Sequence, residues 1–362
     1  MRGAGDGTAT DGTAQLKSYT FGVNTWGSGV PVLDLFGDEA EYAVKEVFGM
    51  STTRASDDFS ADKELSNVQN FAAAKVDGMI LQGAAVSTVP QIGNVCKDAK
   101  IPFVFHVFIG DDKDLAALAD SNEYYVGAID ADMVRDGEEM GKAAYENGAR
   151  TAVIIGGNVG DNNMDQRSEG FRKGFEALGG VVLEEARCTD NSECLPKATA
   201  MLNAHKDADV LYAMVGDYVP GSMQAIKDLK LDTKVYMSCV DEESAKLIKA
   251  GEIVMGNDGI CLPSTLSATL ILNYLDGHKI LDADGKAPRF RTIPFRVTAE
   301  NADAYLSVFA AKGVHPITAE VLKKLCYRYN PDVTYQDYAD LISSGLTLNA
   351  ILDAHGLGDV EG

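Results

Sequence analysis

Short apolar runs alternate with amphipathic stretches along most of the chain. The runs that predict β-strands are Tyr19–Val23, Gly78–Leu81, Pro102–Val107, Tyr124–Ala128, Ala152–Ile155, Val181–Leu183, Val210–Met214, Val235–Met237 and Ile253–Met255. The amphipathic stretches that predict helices include Ala131–Asn147, Met164–Leu178, Tyr218–Leu229 and Glu242–Ala250. Strands and helices alternating at this spacing are typical of parallel sheets that carry helices on both faces.

These units are too many for one modest sheet, so the pattern predicts an α/β protein with two doubly wound, Rossmann-like lobes in tandem. The breaks between the lobes are expected near residues 130 and 260. Ligands of open parallel sheets bind beyond the carboxyl ends of the strands. We therefore expect the functional residues in the loops that follow the strands, where two facing sheets would form a cleft.

The C-terminal part of the chain departs from this alternation. Helices are predicted over Val297–Gly313, Thr318–Tyr327, Tyr335–Ser343 and Leu346–His355, and Asn330-Pro331-Asp332 interrupts them. Residues 331–362 are predicted to form a helical extension, and we expect this helical C-terminal part to pack on one of the two domains.

The 362-residue chain has 54 acidic and 32 basic residues, which gives a net charge of −22. A field of this sign repels nucleic-acid phosphates and anionic lipid headgroups, so DNA, RNA and anionic membrane surfaces are not expected as partners. No apolar run reaches the roughly 18 residues that a membrane-spanning helix needs.

Residues 1–17 are rich in Gly, Ala, Thr and Asp, a composition that predicts a disordered linker. Linkers of this kind follow the lipid-bearing cysteine of bacterial surface lipoproteins. We therefore expect a leader with a lipid anchor ahead of residue 1, and a disordered cytosolic tail is the alternative.

Motifs of the common enzyme classes are absent from the sequence. It has no GxGxxG after the first predicted strand, no Walker loop, no GxSxG and no HExxH. The six cysteines include no CxxC pair and have no histidine cluster beside them, so a zinc site is not expected. The sequence predicts a protein without catalytic activity, cofactor or bound metal.

Two cysteines bracket a small polar loop. Cys188 and Cys194 enclose Thr-Asp-Asn-Ser-Glu just after an apolar run, and a disulfide between them would close this loop in an oxidising compartment. Cys239 and Cys261 lie at the ends of successive predicted strands and are a second candidate pair. Buried free thiols in a cytosolic core are the alternative for all of these residues.

Arg167, Phe171 and Phe175 recur every four residues and therefore share one face of a predicted helix. A cation at the N-terminal end of this apolar stripe opposes the helix dipole. Such locally unfavourable placements are expected at functional sites, and a guanidinium offers a planar set of donors to hydroxyls or a carboxylate. Arg167 is thus the leading candidate for ligand binding, and a salt bridge to Asp161 or Asp165 is the alternative.

The stretch Asp165–Phe171 contains Arg-x-x-Gly-Phe and resembles a signature of type I periplasmic binding proteins, the ribose- and galactose-binding group of ABC-transporter receptors. Further segments agree with this family in order and spacing: Asp77–Gln82, Ile101–Val104, Gly216-Asp217, Val240-Asp241 and Cys261-Leu262-Pro263. The resemblance covers residues 18–300 and implies two lobes joined by three crossovers. It assigns residues 18–130 and 263–289 to the first lobe, and residues 131–262 and 290–330 to the second.

The family's ligand-binding positions fall on Arg167, Gln82, His106, Asp241, and Asp217 or its neighbour Gly216. Position alone adds Tyr218 and Asp258 to the predicted cleft. His106 has the alternative role of a core histidine with its hydrogen bonds satisfied.

The sequence departs from the family's sugar binders in two places. An expanded loop with Asn24 and Trp26 replaces their aromatic pair after the first strand, and Cys261 replaces a frequent amide. Trp26 could supply the apolar face for a sugar ring or a heterocycle, and it could equally anchor the glycine-rich loop. Cys261 weakens the match to receptors for standard pentoses and hexoses.

The resemblance implies an extracytoplasmic, monomeric receptor, periplasmic or lipid-anchored on the outer face of the cytoplasmic membrane. Its lobes would close over a sugar or related small polar solute and then dock on an ABC permease. A nucleoside or a furanosyl signalling molecule is the alternative ligand. The effector domain of a lactose-repressor-type regulator and a two-domain enzyme are the remaining alternatives, but the sequence has neither a basic headpiece nor a catalytic motif.

Overall fold

The computed structural model describes residues 17–83, 85–107, 110 and 112–358. Of the predicted linker 1–17, only Lys17 is among the described residues. The strands are β1 Thr20–Thr25, β2 Ser51–Ser56, β3 Gly78–Leu81, β4 Phe103–His106, β5 Tyr125–Ala131, β6 Thr151–Gly156, β7 Val181–Arg187, β8 Val210–Ala213, β9 Lys234–Ser238, β10 Met255–Asp258, β11 Arg289–Thr292 and β12 Phe295–Val297.

The α-helices are α1 Pro31–Glu41, α2 Ala61–Ala74, α3 Val89–Ala99, α4 Asp112–Ser121, α5 Met133–Glu146, α6 Asn162–Glu176, α7 Cys194–Ala204, α8 Val219–Leu229, α9 Glu242–Lys249, α10 Leu262–Leu275, α11 Ala302–Phe309, α12 Ala319–Lys324, α13 Tyr335–Asp340 and α14 Leu348–Ala354. Two segments are π-helical, Tyr42–Val47 and Leu341–Gly345. None of the helices described is both long enough and apolar enough to span a bilayer.

The strands form two six-stranded sheets, one in each lobe. The first sheet has the order β11-β5-β4-β3-β1-β2, and all of its neighbouring strands are parallel. The second has the order β12-β10-β9-β8-β6-β7, with only β12 antiparallel to its neighbour. The predicted α/β fold with two doubly wound lobes is confirmed.

The central strands β3, β4 and β8 are buried at every residue, which explains their continuous apolar runs. The edge strand β2 escapes sequence prediction because it has the polar sequence Ser-Thr-Thr-Arg-Ala-Ser and is only partly buried.

The chain passes between the lobes three times, from β5 to α5, from β10 to α10 and from β11 to β12. Strand β11 pairs along its whole length with β5, from Arg289 opposite Ala128 to Thr292 opposite Ala131. The first lobe therefore extends to Thr292, and the predicted boundary after residue 289 is too early.

Helices α5 and α6 touch through glycines. A Cβ atom on Gly137 would lie 2.1 Å from the carbonyl oxygen of Arg167, and one on Gly170 would lie 2.0 Å from that of Val134. Only residues without a side chain permit this approach, so the glycines set the distance between the two helices. The same contact places the N-terminal half of α6 beside the first turns of α5.

The C-terminal segment after β12 packs on both lobes, so the prediction that it packs on a single domain is wrong. Helix α11 lies against α9 of the second lobe, α12 lies against the π-helical segment Tyr42–Val47 of the first, and α14 returns to α11. The Tyr338 hydroxyl on α13 lies 2.6 Å from that of Thr269 on α10. The C-terminal segment begins after β12, on the second lobe. It also packs on the buried helix α10 of the first lobe, and it therefore contacts both lobes.

Candidate ligand-binding site

A small cavity lies where the three connections between the lobes meet. Residues 131–133, 257–260 and 292 with 294 line it from the three connections, and Asp136, Arg167 and Cys239 complete its wall. Its volume of about 10 Å³ is that of roughly one water molecule. A sugar is many times larger, so a ligand of that size would need the space between the lobes beyond this cavity.

Arg167 is buried in this wall, with its side chain 2% exposed. Its Nε donates to Oδ2 of Asp136 at 2.7 Å, and its Nη2 donates to Sγ of Cys239 at 2.8 Å. Burial disfavours the charged guanidinium, but the neighbouring Cys239 and Asp136 outweigh this effect and raise the pKa of Arg167. The alternative of a salt bridge is thus correct in kind, but its partner is Asp136 and neither of the predicted acids.

The two acids proposed as partners have other roles. Asp161 caps α6 by accepting from the backbone N–H of Asn163 at 3.0 Å, and Asp165 pairs with Arg187. Asp136 is held instead by Ser238, whose hydroxyl donates to its Oδ1 at 2.8 Å. The ion pair is therefore part of a buried network.

Asp258 follows β10 and lines the same cavity with 8% of its surface exposed. The hydroxyl of Tyr305 on α11 lies 2.7 Å from its Oδ2. Burial raises the pKa of Asp258 to about 7, although Tyr305 and the backbone N–H groups of Gly259 and Ile260 work in the opposite direction. Asp258 is thus a predicted site residue that does lie beside Arg167.

The first-lobe residues at the carboxyl ends of β1 and β3 are linked to one another. The side-chain oxygen of Asn24 accepts from the backbone N–H of Gln82 at 2.9 Å, and Oε1 of Gln82 accepts from the backbone N–H of Trp26 at 2.6 Å. The Asn24 amide also donates to Asp57, whose pKa burial raises to about 6 against the opposing hydrogen bonds of Asn67 and Asn24. Asn24 and Gln82 thus hold the Trp26 loop in place.

The indole of Trp26 is half-buried and meets Phe59 edge to face, with ring centroids 6.4 Å apart. Phe59 is 55% exposed and has a φ of 60°, a conformation that bulky side chains rarely adopt. Its backbone N–H donates to the carbonyl oxygen of Trp26 at 2.8 Å. The two residues form an aromatic pair on the first lobe, and Phe59 was not identified from the sequence.

His106 is fully buried, and its Nδ1 lies 2.7 Å from Oγ of Ser264 on α10. Burial lowers its pKa to about 4, so the imidazole is neutral. Its burial agrees with the alternative of a core histidine, but its Nε2 has no hydrogen-bond partner among the described residues, so its hydrogen bonds are not all satisfied and its role at the site stays a prediction.

The remaining second-lobe candidates lie on the loops after β8 and β9. Asp217 and Asp241 are exposed, and Asp241 caps α9 by accepting from the Ser244 N–H at 2.8 Å. A Cβ atom on Gly216 would lie 3.2 Å from Oδ2 of Asp241, so the two loops are adjacent. Tyr218 is 7% exposed, and burial raises the pKa of its hydroxyl to about 12.

Cys188 and Cys194 are both free and buried in this structure. The Cys194 thiol donates to the backbone carbonyl of Tyr218 at 3.1 Å, a contact that a disulfide would replace. Burial, and secondarily the nearby Cys194, raises the pKa of Cys188 to about 11. The predicted disulfide is not formed here and stays a prediction for the oxidised protein. Cys239 and Cys261 are also free.

Besides Phe59, three residues of the candidate site were missed at the sequence level: Asp136, Ser238 and Tyr305. Asp136 carried a usable signal, because it falls on the buried face of α5 between Met133 and Met140. An acid within an apolar stripe needs a buried partner. Ser238 and Tyr305 carried none, since a serine at a strand end and a tyrosine on an amphipathic helix are both ordinary.

Residues 21–260 match the model of a family described as "Periplasmic binding protein domain". A comparison with curated proteins found no match.

Solved structures of similar fold include three sugar or polyol binders. A glucose-galactose binding protein from Geobacillus stearothermophilus is 20% identical, covers 79% of this chain and 99% of its own, and has a TM-score of 0.65. The periplasmic binding protein component of the arabinose ABC transporter from Shewanella sp. ANA-3, bound to arabinofuranose, is 19% identical. The match covers 80% of this chain and 94% of that protein, with a TM-score of 0.68. A carbohydrate transporter from Acidothermus cellulolyticus in complex with myo-inositol is 18% identical. The match covers 80% of this chain and 98% of that protein, with a TM-score of 0.68. At sequence identities this low, the comparison shows that these proteins share a fold with this chain and shows nothing about its ligand.

Proposed function

The chain belongs to the periplasmic binding protein family, and on that premise we propose that it is the extracytoplasmic receptor of an ABC importer, binding a monosaccharide or related sugar between its lobes. Its family consists of substrate-binding proteins, in agreement with the prediction that the chain is not an enzyme. We further propose that it works as a monomer and is held at the membrane by a lipid anchor.

The observation that carries the proposal is the position of Arg167. Its guanidinium lies in the wall of the cavity at which all three interlobe connections meet, and Asp258 lies in the same wall. Groups at this point can hydrogen-bond a ligand in the cleft, and charge-assisted hydrogen bonds are among the strongest that a hydroxyl can make. Asp136 balances the charge of Arg167, which suits an uncharged ligand better than a carboxylate.

The first lobe supplies the apolar surface of the proposed binding site. Trp26 and Phe59 offer aromatic surface at the end of the lobe where the loops after β1 and β2 lie. The carbon-bound hydrogens of a sugar ring pack well against an aromatic face, while its hydroxyls need polar partners. A ligand between the lobes would meet aromatic surface on one side and Arg167 with Asp258 on the other.

Such a ligand would favour the closed arrangement because only closure lets it contact both lobes at once. The shift cannot exceed the difference between the ligand's affinities for the closed and open states. The closed form would then be the one that a permease recognises, and no covalent step is required.

The experiment is a thermal-shift screen with D-glucose, D-galactose, L-arabinose, D-ribose, myo-inositol and a nucleoside, followed by calorimetry on any compound that stabilises the protein. A ligand at about 100 times its dissociation constant adds about 2.7 kcal/mol of stability. Stabilisation by a sugar or polyol is the expected result. A response to the nucleoside alone would move the ligand to the alternative class, and no response to any compound would contradict the proposal.

The variant that links a hit to the cleft is Arg167→Met, with Arg172→Met as its matched control. Arg172 lies on the same helix but is 35% exposed and pairs with Glu185. We expect Arg167→Met to abolish the ligand-induced shift and Arg172→Met to keep it. Equal shifts in both variants would place the ligand elsewhere.

A further inference from the structure

Helix α11 brings a buried tyrosine to the wall of the cleft cavity from outside the residues that match the family model. Tyr305 is 3% exposed and reaches two oxygens with its hydroxyl. One is Oδ2 of Asp258 at 2.7 Å, and the other is the backbone carbonyl oxygen of Val240 at 2.8 Å. Both distances are those of a hydrogen bond between two oxygens.

A phenol has one proton to donate, whereas a backbone carbonyl and an ionised carboxylate can only accept. If Asp258 were ionised, the Tyr305 proton could satisfy only one of these acceptors, and the other would face the hydroxyl without a proton between them. If Asp258 is protonated, both contacts are hydrogen bonds, since the acid donates to the oxygen of Tyr305 and Tyr305 donates to Val240. The geometry is therefore fully satisfied only with a proton on Asp258.

The charged and titratable groups around Asp258 agree with this assignment. Asp136 repels a second negative charge, Arg167 in the same wall is paired with Asp136, and Asp132 adds a further carboxylate to this wall. Cys239 and Cys261 have thiol pKa values raised by burial and remain uncharged. The Tyr305 hydroxyl and the backbone N–H groups of Gly259 and Ile260 favour the ionised form, but burial outweighs them and raises the pKa of Asp258 to about 7.

We propose that Asp258 is protonated in the unliganded cleft and that Tyr305 is its positioning residue, forming a relay from Asp258 through Tyr305 to the carbonyl of Val240. The C-terminal segment thereby contributes to the binding site of the second lobe. With Arg167 and Asp136 balanced and Asp258 neutral, the remaining carboxylate of this wall is that of Asp132. A wall without excess positive charge disfavours an anionic ligand, so its ligand class is the uncharged polyhydroxylated compounds, and this last step rests on the proposed function.

Infrared difference spectroscopy of the unliganded protein tests the relay without any ligand. The spectrum of the wild type minus that of Asp258→Asn, recorded near pH 6, should contain the C=O band of a carboxylic acid. This band should be replaced by a carboxylate band as the pH rises through about 7. In Tyr305→Phe the acid band should move to higher frequency, because the acid loses its hydrogen-bond acceptor.

Tyr338→Phe is the matched control. It removes a buried hydroxyl from the same C-terminal segment, but this hydroxyl contacts Thr269 on α10 and not Asp258. It should leave the acid band unchanged. Absence of an acid band that Asp258→Asn removes would overturn the proposal, as would a band with the same position in Tyr305→Phe and the wild type. Both variants are close in shape to the wild type, and circular dichroism checks that they fold.

A second measurement separates this inference from the proposed function. Calorimetry with D-galactose and myo-inositol should give an affinity that is constant below about pH 7 and falls by up to about tenfold per pH unit above it, because closure buries Asp258 further. Asp258→Asn should remove this dependence, and a wild-type affinity independent of pH would contradict the coupling. If neither compound binds but the acid band behaves as expected, the relay stands and the proposed function loses its support.

Discussion

The ion pair between Arg167 and Asp136 gives the sharpest stability prediction. Arg167→Met keeps most of the apolar volume of the side chain but removes its charge, and Asp136, 7% exposed, retains the Ser238 hydroxyl as a side-chain donor. Removing one partner of a buried pair typically costs about 3–5 kcal/mol, because the other charge stays buried without compensation. With both side chains almost fully buried, we expect a loss of about 4 kcal/mol in the free energy of unfolding.

The assay is urea unfolding of the unliganded protein, followed by both far-UV circular dichroism and tryptophan fluorescence. Trp26 is the only tryptophan and lies in the first lobe, whereas Arg167 lies in the second. If the lobes unfold together, both signals shift to lower urea in Arg167→Met. If they unfold separately, only the dichroism shifts, and the magnitude then applies to the second lobe.

A double-mutant cycle isolates the pair from other effects of the substitution. Asp136→Asn with Arg167→Met should cost less than the two single variants combined, with an interaction energy of up to about 3 kcal/mol. Arg172→Met should cost only about 0–1 kcal/mol, because Arg172 is 35% exposed and its partner Glu185 keeps a second ion pair with Arg187. If Arg167→Met lost no more free energy of unfolding than this control, Asp136 would not be a buried charge, and the cavity wall would not contain the ion pair described above.

Three further predictions follow from particular contacts. Gly137→Ala should cost about 1–3 kcal/mol in urea unfolding, since the new Cβ would lie 2.1 Å from a backbone oxygen of α6, and a neutral effect would contradict the close approach of the helices. His315, whose Nδ1 lies 2.8 Å from Glu39, has a raised pKa because this hydrogen bond outweighs burial. It should therefore add stability relative to His315→Gln below about pH 6.5 that disappears as the pH rises through its folded pKa, and a constant difference in thermal melting across that range would disprove this. For Cys188 and Cys194, mass spectrometry of the unreduced protein from an oxidising compartment should find one linked peptide, and two free thiols would argue against the disulfide.

The alternation of apolar runs and amphipathic stretches was sufficient to predict the inner strands of both sheets and the edge strand β7. Gly78–Leu81 is observed with the predicted bounds, and helix α9 begins at the predicted Glu242. The elements that were missed are those at sheet edges, because an edge strand needs no continuous apolar run. Strands β2, β11 and β12 contain arginine or serine at exposed positions and have no distinctive hydrophobic pattern.

The candidate site was predictable to the extent that a residue's local pattern was unusual. Arg167 stood out because it interrupts an apolar stripe, but its partner depends on how α5 and α6 cross. That crossing is set by glycines on both helices, and no property of Arg167 itself identifies Asp136 among the many acids of the chain. His106 shows the limit of such patterns, since a polar residue at a strand end has the same sequence pattern whether it faces a cleft or, as here, is buried in the core.

Helix α10 shows that the C-terminal segment belongs to the folded core. Its sequence contains no charged residue and almost all of its side chains are buried, so the rest of the protein covers it on nearly every side. Strands β3, β4 and β5 cover one side, while α1 and the C-terminal segment around Tyr338 cover the others. Since the same segment carries Tyr305 to Asp258, the residues that complete the first lobe's core are continuous in sequence with one that contacts the proposed ligand site of the second. If that site binds the ligand, we expect a substitution in this segment to alter binding without touching the ligand.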